Sequence, residues 1–304
     1  MKIKRNTIES ILGNYNETGK VSVKKRGGEN KKVLSEEEQN TIKSWVDEDC
    51  TITLAQLVQK CANELQKKVS QSTINRVLDG FTYTLKNVHT QPERRNNPNT
   101  INSRLDYANQ FMNHLTRIRD KNFIFIDEVG FKVTMRAKRG RSKIGKRAVQ
   151  TIPCSRTRNI SVCCAMTCER VMKYQVQTTP FNGVYFGQFL DQVIQQIQDD
   201  GINEAVFVID NVSFHKSDAI KNKIREAGHE LLFLPPYSPF LNPIENMFSK
   251  WKQYVKQQKA RSENELMEHI NVGLQTITSD NCLKFYQHMM SYIPRCLAKE
   301  TITD

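Results

Sequence analysis

Three short stretches of this sequence each bring a carboxylate to the end of a structural element. They are FIFIDEVGF from Phe123 to Phe131, VFVIDNVSFH from Val206 to His215, and LPPYSPFLNPIENMFSKWK from Leu234 to Lys252. The first two run through four or five apolar, mostly β-branched or aromatic residues, the pattern of a fully buried strand, and stop at Asp127 and Asp210. Burying a lone carboxylate costs several kcal/mol or shifts its pKa, so a strand that ends on one needs a cation, a hydrogen-bond donor or a metal there. In the third stretch Asn242 is a favoured N-cap and Pro243 a favoured first helical residue, which places Glu245 in the first turn of a helix continuing through Trp251. Two strand ends and a helix start thus offer three hard oxygen ligands. Such a set suits Mg²⁺ or Mn²⁺ rather than metals that favour sulfur or imidazole.

The elements that must hold these groups have enough chain to form. With 304 residues, 38% of them hydrophobic, the sequence supports one large or two modest cores. Its net charge of +13 points to a polyanionic partner, nucleic acid before membrane. No apolar run approaches 18 residues, so no transmembrane helix is expected, and MKIKRNTIES lacks the apolar core of a secretion signal. Among the eight cysteines, Cys163, Cys164 and Cys168 lack both paired C-x₂-C spacing and a nearby His, and are read as reduced core residues. Cys163 and Cys164 are adjacent in a strand-like run and must face opposite sides.

Along the chain, a short amphipathic helix carrying Ile8, Ile11, Leu12 and Tyr15 closes at Gly19, and a basic tract from Lys20 to Lys32 follows. Lys24, Lys25 and Arg26 in that tract are read as a phosphate-tracking arm, with a solvated linker or a nuclear import signal as the plainer alternatives. From Ser35, whose partner Glu38 completes a capping box, three helical patterns run to Gly80. The last is short and polar, with Ser70, Gln71, Ser72, Asn75 and Arg76 exposed, and suits the recognition helix of a helix-turn-helix. Phe81 to Asn102 reads as a linker in which Arg94 and Arg95 are solvated or touch DNA or the other subunit, and a helix from Ser103 to Arg119 leads on. Strand-like runs then occur at Asn122 to Ile126, Lys132 to Met135, Ile160 to Met166, Val171 to Gln177, before Asp210, and at Glu230 to Leu234. Helices near Tyr185 to Gln198 and Ser217 to Ala227 alternate with them, and a helical pair, Glu263 to Thr278 and Leu283 to Tyr292, ends the chain: an α/β domain with a mixed sheet.

GRSKIGKR has the Gly-x₄-Gly-Lys spacing of a phosphate loop, but Arg147 stands where the metal-binding hydroxyl belongs and no helix follows. The basic cluster of Arg136, Lys138, Arg139, Arg141, Lys143, Lys146 and Arg147 reads better as a hairpin contacting DNA, chiefly through Arg139, Arg141 and Lys143.

Between Asp210 and Glu245 lie 34 residues, and the flanking motifs are IDEVGF, IDNVSFH and LPPYSPFLNPIEN. On these residues the chain resembles the mariner-like superfamily of cut-and-paste DNA transposases, over roughly Asn6 to Arg295. The resemblance implies a ribonuclease-H-like catalytic domain at 120–304 behind an all-α helix-turn-helix region. That region comprises a remnant of a first module with its basic linker at 1–32, a second module at 33–85, and a linker with its lead-in helix at 86–119. It implies that Asp127, Asp210 and Glu245 are catalytic and hold two Mg²⁺ or Mn²⁺ ions, Asp127 as the bridging ligand and Glu245 completing the second ion's shell. Asn211, His215 and Asn242 support the site; His215 is read as a phosphate donor, a support or a structural histidine, while Glu128 should face away. The implied partners are terminal inverted repeats and a TA target in double-stranded DNA, handled by a dimer or higher assembly without membrane involvement. The protein is then nuclear in a eukaryote and otherwise cytoplasmic or nucleoid-associated. A domesticated DNA-binding protein without transposition, and a structure-specific nuclease, are the competing readings.

Overall fold

The computed structural model describes residues 4–19, 21, 33–88, 90–136, 141–152 and 158–303. They fall into two compact units, Met1–Thr90 and Gln91–Asp304. In the first, α1 (Arg5–Thr18) stops where Gly19 takes a φ of 64° and returns its N–H to the Tyr15 carbonyl, a left-handed close that glycine makes without a Cβ penalty. The capping box opens α2 (Glu36–Glu48): Glu38 N donates to Ser35 Oγ at 3.2 Å and Ser35 N to Glu38 Oε2 at 2.8 Å. Thr53 and Gln56 form a second box at α3 (Leu54–Glu64), and Ser70 caps α4 (Gln71–Gly80). Ile42, Trp45, Leu57, Cys61 and Ile74 close a small core among α2, α3 and α4, leaving Ser70, Gln71, Ser72, Asn75 and Arg76 exposed.

The second unit begins with α5 (Pro98–Leu115) and continues through β1 (Phe123–Phe131), β2 (Ile160–Met166), β3 (Val171–Gln177), α6 (Gly183–Asp199), β4 (Val206–Ile209), α7 (Asp218–Glu226) and β5 (Glu230–Phe233). It closes with α8 (Pro243–Gln258), α9 (Glu263–Gln275), α10 (Ser279–Met290) and α11 (Ile293–Leu297). The sheet order is β3-β2-β1-β4-β5, antiparallel across β3, β2 and β1 and parallel across β1, β4 and β5. Strand alternation splits the core into two layers. Phe123, Phe125, Val129, Phe131, Val206 and Val208 pack with α5 and α8 to α11 on one face. On the other, Ile124, Ile126, Phe207 and Ile209 pack under α6 and α7. Cys164 belongs to the first layer and Cys163 to the second, both reduced and fully buried. Among the described residues no helix is long and apolar enough to cross a membrane.

Three expectations are corrected. Asp127 does not end its strand: β1 pairs with β4 only as far as Ile126 but with β2 as far as Phe131, so the second half of the strand is held from one side. Lys132 to Met135 is a turn rather than a strand, closed by Met135 N on the Lys132 carbonyl at 3.0 Å and by Arg136, which donates to the carbonyls of Val133, Met135 and Ala260. The segment before the lead-in helix is not a solvated linker throughout. Asn97 Oδ1 accepts from Thr100 N at 2.8 Å to start α5 at Pro98, and Arg95 Nε donates to the Ile302 carbonyl at 3.1 Å.

α8 and α9 cross at Gly273, where a Cβ would stand 2.8 Å from Tyr254 Cδ1 and 2.9 Å from Trp251 Cδ1. Trp251 cannot yield, being fully buried with its Nε1 donating to the Ile270 carbonyl at 2.8 Å. Gly273→Ala should therefore cost about 1–3 kcal/mol by overpacking. That loss lowers the calorimetric midpoint of the second unit by roughly 3–10 °C. An unchanged midpoint would contradict this packing.

Candidate active site

Ile126 and Ile209 are the last partners in the parallel β1/β4 pair, so the next residue on each chain, Asp127 and Asp210, falls where that pairing stops. Asp127 shares the parity of Phe125 and Val129 and so points into the α8 layer. On that same layer α8 buries Ile244, Met247, Phe248 and Trp251, which anchors its first turn, carrying Glu245, against the sheet. The structure thus brings together the three predicted carboxylates: Asp127 senses both Glu245 and Asp210, and Glu245 senses Asp210.

The loop that delivers Glu245 is held from beneath. Leu234 N donates to the Ile209 carbonyl at 2.9 Å, and the chain then turns through Tyr237, whose φ of 53° is left-handed. Arg104 of α5, with 1% exposure, fixes this turn: Nε donates to Ser238 Oγ at 2.8 Å, Nη2 to the carbonyls of Tyr237 and Arg95, and Nη1 to Asn96 Oδ1 at 3.0 Å. Its guanidinium also lies 5.1 Å from the centre of the Phe240 ring. A buried charge is tolerated only when its donors are satisfied, and here neutral oxygens do it. The loop ends at Asn242, which sits at the N-cap position but makes no capping hydrogen bond. Its Nδ2 donates instead to Asp127 Oδ2 at 2.9 Å, and its buried Oδ1 has no partner among the described residues.

Asp127 Oδ1 accepts from Glu128 N at 2.7 Å. Burial first, then the neighbouring Glu245, raises the Asp127 carboxyl well above the usual range; the Glu128 N–H opposes this, and the charges of Glu128 and Asp210 add to it. Partial burial also raises Glu245, with Lys252 pulling it back and Asp210 pushing it up. Two like charges at ~4 Å repel by about 4 kcal/mol at an effective dielectric constant of ~20, so the group favours a cation. Among the described residues no three potential ligands are already drawn close around one point. The donor set nevertheless fits a hard divalent ion: it consists of oxygens, two of its carboxyls are raised by crowding and burial, and an orphaned amide oxygen lies beside it.

His215 is completely buried, its ring centre 4.1 Å from that of Phe186 and 4.3 Å from that of Phe214. Its Nδ1 lies 2.5 Å from Asp210 Oδ1 and its Nε2 3.1 Å from Glu128 Oε1. Burial alone would lower its pKa, but the hydrogen bonds to Asp210 and Glu128 and their charges outweigh it and raise the ring to about 9. Asn211 is exposed, and its side chain makes no hydrogen bond among the described residues. Arg141 and Lys143 are exposed beside a turn closed by Lys146 N on the Lys143 carbonyl, without strand pairing in 141–152. A cleft of about 450 Å³ is lined by Arg136, Gln150, Ser249, Gln253, Lys256, Gln257 and Lys259. Lys24, Lys25, Arg26 and Arg139 lie outside the described residues. Sequence reasoning passed over Arg104, for which a lone arginine in a helical run gave no signal.

A mixed sheet of this order, with carboxylates delivered by the central strand, its parallel neighbour and the first turn of a packed helix, defines a ribonuclease-H-like nuclease domain. Residues 122–267 match the DDE superfamily endonuclease model, and this part of the chain is a DDE endonuclease domain. Among solved structures, the chain is similar to the mariner Mos1 paired-end complex with Mg at a TM-score of 0.78 and 17% identity, covering 99% of this chain and 89% of that one. It is likewise similar to a pre-cleavage Mos1 transpososome, at a TM-score of 0.76 and 17% identity, covering 100% and 90%. The Mos1 strand transfer complex aligns at 0.72 and 17%, covering 100% and 89%. No match to a curated protein sequence was found.

Two outcomes follow from the charges. In metal-free buffer Glu245→Gln should raise the melting midpoint by about 1–3 °C, because it removes a carboxylate whose ionisation burial opposes; Mg²⁺ should then stabilise the variant less than the wild type. His215 has a folded pKa of about 9 against an ordinary value of 6.5. Its contribution to stability is therefore complete below pH 6.5 and lost as the pH rises to about 9. Denaturant unfolding of wild type and His215→Ala across that window should converge as pH rises; a constant difference would refute the shift.

Proposed function

We propose that this protein is a cut-and-paste DNA transposase that binds terminal inverted repeats and carries out strand cleavage and strand transfer. The observation that carries the reading is the delivery of Asp127, Asp210 and Glu245 to one face and one end of the sheet in a DDE endonuclease domain. Support comes also from the fold shared with the Mos1 complexes, one with Mg and another with Mn.

Asp127, Asp210 and Glu245 would hold two Mg²⁺ or Mn²⁺ ions. Bound there, such ions would activate water or a DNA 3′-hydroxyl as the nucleophile and stabilise the leaving oxygen. The chain's own part is orientation. Asn242 and the Glu128 N–H fix both oxygens of Asp127, His215 fixes one oxygen of Asp210, and Glu245 makes no hydrogen bond through its carboxylate among the described residues. The exposed polar side chains of α4 suit readout of base edges in a major groove. Lys24, Lys25, Arg26, Arg139, Arg141, Lys143 and the basic cleft beside α8 suit phosphates, which position DNA without reading its sequence. Synapsis of two ends requires a dimer or larger assembly. Insertion at TA is consistent with the easy deformation of that step.

The test is cleavage of labelled duplex carrying the element's own flanking repeats, with Mg²⁺ or Mn²⁺. Wild type should cut at the repeat ends, and Asp210→Asn should lower the rate at least ~10²–10³-fold while binding the same duplex. Repeat binding without cutting by either protein would leave a DNA-binding descendant of a transposase. Cutting of branched DNA regardless of repeats would point to a structure-specific nuclease.

A further inference from the structure

We infer that Glu128, acting through His215, is a positioning residue that sets the orientation of the Asp210 carboxylate. This rests on the metal-dependent reading above and adds to it a residue on the opposite face of the sheet. Glu128 neighbours Asp127 on β1 and so points into the other layer, where it cannot share a ligand sphere with Asp127. There its Oε1 lies 3.1 Å from His215 Nε2, with Cys163 Sγ at 4.0 Å from the same oxygen. The other ring nitrogen, Nδ1, reaches Asp210 Oδ1 at 2.5 Å. Phe186 and Phe214 box the imidazole, which is completely buried, so the ring cannot turn away without opening the α6 layer. A continuous connection thus runs from Glu128 on the α6 side, around the end of β4, to a carboxylate at the active site.

Asp210 needs such a support. It follows a strand of four residues and precedes an exposed run of Asn211, Val212 and Ser213, and its other contact on Oδ1 is Val212 N at 3.4 Å. Oδ1 is thereby engaged twice, whereas Oδ2 accepts no hydrogen bond among the described residues. Partners in the outer shell that orient a ligating group typically change metal affinity 10–100-fold when removed.

The experiment is Mn²⁺ titration of the full-length protein without DNA, following the electron paramagnetic resonance signal of free Mn²⁺. Glu128→Met keeps the length of the side chain but removes the acceptor, and should weaken Mn²⁺ binding by about 10–100-fold with an unchanged circular dichroism spectrum. Glu128→Ala, which perturbs packing differently, should give the same loss. Glu128→Gln retains an oxygen facing His215 and should bind within about threefold of wild type. His215→Ala should match the Glu128→Ala, His215→Ala double variant, since both break one connection. Wild-type affinity in both Glu128→Met and Glu128→Ala would overturn this inference and leave the proposed function standing. A wild type with no Mn²⁺ site lost in Asp210→Asn would overturn the proposed function itself.

Discussion

The structure depends on where the parallel pairing of β1 and β4 ends. β1 is the central strand, held by β2 along seven residue pairs and by β4 along four, the last of them Ile126 with Ile209. Beyond that pair one side of β1 is open, and into the opening come Asp127, Asp210, Asn242 and the first turn of α8. The cores on both faces protect this register. A slip of one residue would turn Asp127 toward α6 and push Phe125 and Val129 out of the layer that α8 covers.

The two faces then divide the work. Potential ligands arrive on the α8 side, while their support comes from elsewhere: His215 from the α6 side, Arg104 from α5 beneath the loop. Both supports are expensive in isolation, a buried imidazole between two carboxylates and a buried guanidinium with no carboxylate partner among the described residues. Removing the partner of a buried charge is costly because the remaining charge is left uncompensated, so each group holds its partners in place. Asn242 shows the same preference, since an N-cap hydrogen bond worth ~1 kcal/mol is forgone for a contact with Asp127.

Much of this was legible in the sequence, where the signal was local. The apolar runs before Asp127 and Asp210 marked β1 and β4, Ser35 with Glu38 marked the start of α2, and Asn242-Pro243 marked α8. Asn97-Pro98 carried the same start signal, but the surrounding Asn and Pro residues read as linker. Alternation correctly excluded Glu128 from the side of Asp127. It could not show that Glu128 meets a histidine 87 positions away. Arg104 was invisible for a similar reason, because Ser238, the residue that accepts from its Nε, lies 134 positions downstream. A charged residue becomes a buried hub only when a distant loop closes over it, and no periodicity records that event.

Hydrogen bonding separates the three carboxylates. Asp127 is held at both oxygens and Asp210 at one, whereas Glu245 makes no hydrogen bond through its carboxylate among the described residues and rides on an anchored helix. Two of the carboxylates are thus oriented by hydrogen bonds from the chain, and the third is placed by the packing of its helix. The raised carboxyls of Asp127 and Glu245 are each disfavoured as anions until a cation is near. An ion that neutralised both groups would thereby displace protons from them, a linkage that follows from the burial of the site itself.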